Sequence, residues 1–180
     1  MDASERERYR AAIRGEREAL EMIIRTHSRA LFAIAYGVLQ NREEAEDAVQ
    51  DALIKAWKSR WRVREAEKFP AWLGTITRYR ARDILKRRRS IPLSDEMAES
   101  IAEETETAGD ATFSDRDVHS ALAALPALHR TALALRYFEE LDYKSIESLL
   151  GLTDGALRGI LGRALASMRK RLKPALASLE

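Results

Sequence analysis

Arginines and lysines interleaved with aromatic rings are the residues of this chain best equipped to do chemistry. Trp57, Arg60, Trp61, Arg62, Phe69, Trp72, Arg78, Tyr79, Arg80, Arg82, Lys86 and Arg87 fall within one stretch, which holds all three tryptophans of the chain. Rings that can stack on unpaired bases, set among cations that neutralise a phosphate backbone, are what single-stranded nucleic acid requires. Trp57 and Trp72 also suit a buried core, and both readings stay open for them. Trp61, Tyr79 and the arginines are harder to bury.

A second constellation lies near the C-terminus. Residues 141–171 have the layout of a helix-turn-helix: a short helix, the turn Gly151-Leu152-Thr153, then a longer basic helix. Such a unit lays its second helix in the major groove of DNA. That helix carries Arg158, Arg163, Arg169, Lys170, Arg171 and Lys173, with no acid between Asp154 and Glu180. One-sided charge of this kind releases counterions from phosphates. Thr153 is placed to cap the helix and to bond a phosphate. An antiparallel helix pair with a solvated basic face fits the same pattern. Gly159 and Gly162 fall on the exposed side, where each costs about 1 kcal/mol of helix propensity relative to Ala and offers a base nothing. Affinity is therefore expected from phosphates, with few base contacts. A third stripe, Asp47, Gln50, Asp51 and Ile54, falls at i, i+3, i+4 and i+7 on one helix face. It is either solvated or a docking face for a partner.

The elements that must position these groups read as helices throughout. Apolar residues keep helical spacing over 16–39 and again from Ala45 to Ala56, with Asn41 as the N-cap between them. Phe69-Pro70 opens a third helix that ends in Lys86-Arg87-Arg88-Arg89, Pro70 standing in its first turn. From Ile91 to Asp115 the charged residues are all acidic, among them Asp95, Glu96, Glu103 and Glu104, which predicts a flexible acidic linker. A second helical set begins near Asp117, and Pro126 punctuates it. The reading is all-α: two small helical domains, 1–90 and 117–180, joined by the acidic linker 91–116.

The 180 residues include 46% hydrophobic and 33% charged ones, enough for a buried core in a helix-rich chain of formal net charge +2. There is no cysteine, which excludes disulfides, thiolate metal sites and a cysteine nucleophile. No stretch is apolar enough to span a membrane, and residues 1–15 lack an apolar signal core, so a cytoplasmic protein without membrane insertion is expected. His27, His119 and His129 show no metal spacing, and no glycine loop or nucleophile elbow occurs. No enzyme activity, metal or cofactor is expected.

Taken together, these residues resemble the extracytoplasmic-function (ECF) sigma factors of bacterial RNA polymerase, over roughly 16–172. The segment from Asn41-Arg42-Glu43-Glu44-Ala45-Glu46-Asp47-Ala48-Val49-Gln50-Asp51 to Trp57 resembles the region 2 helix that docks on the clamp helices of the polymerase β′ subunit. The resemblance gives Asp47, Gln50, Asp51 and Ile54 that contact. Phe69-Pro70-Ala71-Trp72-Leu73 through Arg82-Asp83-Ile84-Leu85-Lys86-Arg87 resembles the part that melts and captures the −10 element. Its implied contacts, with those of the preceding turn, are Arg60, Trp61, Arg62, Trp72, Thr75, Arg78, Tyr79, Arg82, Lys86 and Arg87, on the melted non-template strand. Leu125-Pro126-Ala127-Leu128-His129-Arg130 through Arg171 resembles region 4, which reads the double-stranded −35 element and binds the β flap. There the implied contacts are Thr153, Arg158, Arg163 and Arg169.

The resemblance implies a transcription initiation factor that directs core polymerase to promoters, held in check by an anti-sigma factor. By the same resemblance the linker threads toward the RNA exit path; composition equally fits an ordinary interdomain tether. The chain departs from the family where Tyr79 replaces the usual Asn, where Glu147 replaces a small Ala, and at Gly159 and Gly162. A rival reading is a sigma mimic that sequesters an anti-sigma factor without driving transcription; the cations of 78–89 argue against it. A conventional dimeric repressor leaves the aromatic cluster unexplained. Whether the two domains pack together, covering the basic helix, is open at this stage.

Overall fold

Helix ends are written clearly into the N-terminal half. The computed structural model describes residues 2–90 and 115–177, and among these every regular element is helical. Helix α1 (Ala3–Arg14) starts where the Asp2 side chain accepts from Glu5 N–H at 2.7 Å. It stops at Gly15, whose φ of 98° is the left-handed conformation that glycine adopts without a Cβ penalty. This helix was not expected from its highly charged sequence. It buries only Tyr9, Ala11 and Ala12. Helix α2 (Arg17–Leu39) is the central strut, burying Ile23, Leu31, Ile34 and Leu39.

Helix α3 (Arg42–Ser59) is capped by Asn41, which accepts from Glu44 N–H at 2.8 Å, as the sequence predicts. Its buried stripe, Ala45, Ala48, Ala52 and Ala56, is almost entirely small, so the helix lies close against α2 and α4. Two single 3-10 turns, Arg60–Arg62 and Ala66–Lys68, lead to α4 (Phe69–Ser90). Phe69, Leu73, Thr77 and Ala81 form the buried face of α4. The Thr77 hydroxyl is satisfied by donating to the Leu73 carbonyl at 3.0 Å.

The C-terminal set comprises α5 (Asp115–Ala123), α6 (Ala127–Leu133), α7 (Tyr143–Leu150) and α8 (Asp154–Ala177). Pro126 precedes the first turn of α6, and its carbonyl accepts from Arg130 N–H at 3.1 Å. The helix that follows Pro126 is α-helical only to Leu133. It widens into a π-type turn over Ala134–Phe138, where Glu139 N–H reaches back to the Ala134 carbonyl. Asp142 caps α7 by accepting from Ser145 N–H at 2.7 Å, so α7 begins two residues later than the apolar spacing suggests. Gly151, at φ 65°, turns the chain toward α8. The acidic linker expected over 91–116 lies outside the described residues except for Asp115 and Arg116, which begin α5.

The two helical domains pack on one another. Helix α6 lies across α2, and α7 lies across α4. The Arg130 guanidinium spans the seam: its Nε donates to the Gly37 carbonyl at 2.9 Å, while Nη1 donates to the Ala123 carbonyl at 2.7 Å. Gly37 is in the last turn of α2 and Ala123 ends α5, so one cation serves the negative ends of two helix dipoles. Arg29 and Glu139 add an ion pair across the same seam at 2.9 Å. The described chain thus adopts the arrangement with the domains together.

Candidate nucleic-acid interface

Helix α4 gathers four of the expected residues at one place. Thr75, Arg78, Tyr79 and Arg82, spaced i, i+3, i+4 and i+7, together line a cavity of about 180 Å³. Two guanidiniums, a hydroxyl and a phenol ring around a small cavity suit an anion beside a stacked ring. Tyr79 is 61% exposed, so its ring is open to solvent. Arg78 is half-buried, and its Nη2 lies 3.4 Å from the Leu150 carbonyl at the end of α7. Desolvation, and then the neighbouring Arg82 charge, push the Arg78 guanidinium below its usual range. Lys86 and Arg87 continue the exposed side of the same helix.

The turn before α4 separates the remaining residues. Trp61 is 67% exposed, and the Arg62 guanidinium lies 5.3 Å from its ring. Arg60 has another job. It stacks 4.1 Å over the Trp57 ring, its Nη1 donates to the Trp57 carbonyl at 2.7 Å, and Gly15 lies close beside it. It therefore fastens the turn to α3 and to the end of α1. Trp72 is partly buried, tilted against Phe69 with ring centroids 5.4 Å apart.

Sequence reasoning missed what braces this region. Tyr9 of α1 stacks on Phe69 at 5.4 Å, and its hydroxyl lies 2.6 Å from His27 Nε2. Burial pushes the Tyr9 phenol up and the His27 imidazole down, so this pair stays neutral. Arg6 of α1 pairs with Glu67 at 2.6 Å. The only signals in the sequence were the Asp2 cap, Tyr9 and Gly15.

The acidic-polar stripe of α3 is fully outward. Asp47, Gln50, Asp51 and Ile54 are all exposed, Ile54 by 54%, opposite the buried alanines.

On the C-terminal domain, α7, Gly151 and α8 form the helix-turn-helix. The Thr153 hydroxyl accepts from Ala156 N–H at 3.4 Å. Arg158 pairs with Asp154 at 2.8 Å, which holds that carboxyl below its usual range, and lies 5.0 Å from the Tyr143 ring. Arg163 and Arg169 are exposed. Gly162 faces open space, as expected for the outer side, whereas Gly159 is half-buried with the Arg163 guanidinium alongside. Among the described residues no group of His, Asp and Glu could hold a metal, and no helix is long and apolar enough to cross a membrane.

Comparison with known proteins agrees with this geometry. The Sigma-70 region 2 family matches residues 23–91, and the Sigma-70 region 4 family matches 115–176. The chain is 32% identical to the probable RNA polymerase sigma factor RfaY of Xanthomonas campestris, over 89% of this chain but only 42% of that longer protein. It is 31% identical to RNA polymerase sigma factor SigV of Bacillus subtilis, over 83% of this chain and 88% of the relative. ECF RNA polymerase sigma factor SigW of the same organism is 24% identical, over 96% and 99%. Among solved structures, the sigma factor RpoE of Bartonella quintana, in complex with the anti-sigma factor NepR, superposes with a TM-score of 0.57. It shares 25% identity, over 85% of this chain and 96% of that one.

Proposed function

Since the chain belongs to the sigma-70 family, as an ECF sigma factor and hence a transcription initiation factor, we propose the following division of work among its residues. The outward stripe Asp47, Gln50, Asp51 and Ile54 on α3 docks core polymerase at the β′ clamp helices. The α4 cavity, with Tyr79 as a stacking ring and Arg78 and Arg82 as phosphate partners, captures the melted −10 non-template strand. Trp61 and Arg62, held out by Arg60, offer a second ring and cation nearby in sequence. Unpairing each base costs energy that stacking, at about 1–3 kcal/mol per base, offsets. Arg158, Arg163 and Arg169, with the capped start of α8 at Thr153, anchor the −35 duplex, and the C-terminal domain meets the β flap. The polymerase performs the chemistry; this chain selects and holds DNA in the cytoplasm. An anti-sigma factor is its regulatory partner.

The observation that carries this reading is the exposed ring and two guanidiniums around one cavity on α4. A decoy that only sequesters an anti-sigma factor has no use for that cavity, and the relatives named as sigma factors do not favour it. The test mixes the purified chain with core polymerase and fragmented genomic DNA, then maps transcript 5′ ends. New start sites sharing an upstream motif pair are expected. Stable polymerase binding without new starts would contradict promoter selection, and no binding would contradict the α3 assignment.

A further inference from the structure

The turn between α3 and α4 is anchored at its ends and open in its middle. Ser59 and Val63 are buried, while Trp61 and Arg62 between them are exposed. Val63 N–H closes the turn on the Arg60 carbonyl at 3.1 Å. A single 3-10 turn does not hold such a shape alone, because short helical segments are marginal in water. What holds it lies elsewhere in the chain.

Helix α1, which precedes the residues 23–91 matched by region 2, touches this stretch at three points. Gly15 at its end faces Arg60, Arg6 pairs with Glu67 at 2.6 Å, and Tyr9 stacks on Phe69 at 5.4 Å. The first contact bears directly on Trp61, the next residue in the chain. The Arg60 guanidinium lies 4.1 Å from the centre of the Trp57 ring, and its Nη1 donates to the Trp57 carbonyl at 2.7 Å in the last turn of α3. Its Nη2 takes the space where a side chain on Gly15 would stand, only 2.6 Å from an added Cβ. Gly15, at φ 98°, thus serves twice: it ends α1 and leaves room for a guanidinium. The Arg60 Nε is buried without a hydrogen-bond partner among the described residues. A guanidinium that meets a phosphate keeps its donors turned outward. This one is turned inward with one donor unmet, a cost offset by the stacking on Trp57 and the carbonyl bond.

We infer that Arg60 is a positioning residue for capture of the melted strand and that α1 is the splint behind it. The Gly15–Arg60–Trp57 contact fixes the turn so that Trp61, with Arg62 beside it, is held ready to stack on an unpaired base. This rests on the reading of Trp61 as a DNA-stacking ring. A ring held in place beforehand loses less conformational freedom on binding, so the splint acts on affinity. Arg60 itself touches no DNA. Its planar fork matters more than its charge, and lysine is not its equivalent.

The experiment measures holoenzyme affinity, by anisotropy over a range of salt, for a dye-labelled single strand carrying the −10 element of a promoter found by transcript mapping. Trp61→Ala is expected to weaken binding about 5- to 150-fold, the worth of one stacked base. Arg60→Met should weaken it about 2- to 30-fold, the worth of the lost stack on Trp57, and Arg60→Lys nearly as much. Gly15→Ala should act in the same direction, since its methyl displaces the guanidinium. None of these three should weaken binding further in a chain that already carries Trp61→Ala, whereas a general loss of fold would lower affinity in either background. Arg60→Met should also leave the slope of log K against log salt unchanged, where loss of a phosphate contact would reduce it by about 0.7. Arg60→Lys binding like the parent while Trp61→Ala binds weakly would overturn the inference. So would a loss that persists in full beside Trp61→Ala, or a reduced salt slope in Arg60→Met. Trp61→Ala binding as tightly as the parent would overturn the DNA reading of the turn, and the inference with it.

Discussion

Helices α4 and α8 are both basic, yet they present their charge differently. On α4, Arg78 and Arg82 flank an exposed Tyr79 around a cavity of about 180 Å³. On α8 the arginines stand apart, Arg158 already paired to Asp154 and Arg163 lying along Gly159, with bare backbone at Gly162. Charge alone attracts any duplex through counterion release, whereas a ring and cations fixed around a cavity can distinguish an unpaired base from a paired one. On the proposed division of work, this difference assigns discrimination to the N-terminal domain and sequence-tolerant anchoring to the C-terminal one.

The comparison can be broken most sharply at Tyr79. Tyr79→Ala should weaken holoenzyme binding to single-stranded −10 DNA by about 1–3 kcal/mol, roughly 5- to 150-fold, read by fluorescence anisotropy. Tyr79→Phe should keep most of that affinity, since the ring stacks and the hydroxyl is secondary. Equal binding by the Ala variant would remove the stacking role. On α8 the expected signature is different. Arg163→Ala and Arg169→Ala should weaken duplex binding almost equally on all sequences, each lowering the slope of log K against log salt by about one unit. A change in sequence preference instead would place base readout on α8.

Gly162→Ala sharpens the contrast by a smaller effect. It should raise stability to urea by about 1 kcal/mol through helix propensity alone, leaving promoter choice unchanged. A loss of promoter binding would mean that the bare backbone at 162 is itself a contact.

The smallest effect concerns the brace beneath α4. His27 is kept neutral by burial, Arg8 adding to and Glu5 opposing that shift, so its folded-state pKa lies below the usual 6.5. Above that value neither state takes up the proton and this pair gives no pH dependence. As pH falls below it, the unfolded chain is protonated first, and stability is lost until the folded pKa is reached. Thermal unfolding at pH 7 and pH 5 should show this loss, and His27→Gln should flatten its contribution. An unchanged profile in that variant would show that the Tyr9–His27 pair does not carry it.

Much of this was legible in the sequence because it is local. The Asn41 cap, the alanine stripe of α3, the Phe69-Pro70 start of α4 and the turn at Gly151 all declare themselves within a few residues. Helical spacing sets Thr75, Arg78, Tyr79 and Arg82 on one face of α4, but that they line a cavity is seen only in the structure. What escaped was either masked by composition or set by distant contacts. Helix α1 looks like a charged tail because three residues supply its buried face. Arg60 reads as one more DNA cation until its stacking on Trp57 is seen. The π-type turn over Ala134–Phe138 leaves no mark in apolar spacing. Arg130 gains its meaning only from a second domain remote in the chain, which no local pattern reveals.

The division of work between the two basic helices is tested most directly by promoter melting. On a promoter found by transcript mapping, permanganate reactivity of unpaired thymines would be measured for holoenzyme carrying Arg78→Ala with Arg82→Ala, and separately Arg163→Ala with Arg169→Ala. The account predicts that the α4 pair abolishes melting even when the promoter is saturated, whereas the α8 pair needs more protein but then melts it fully. Melting retained in the α4 variant, or lost at saturation in the α8 variant, would contradict it.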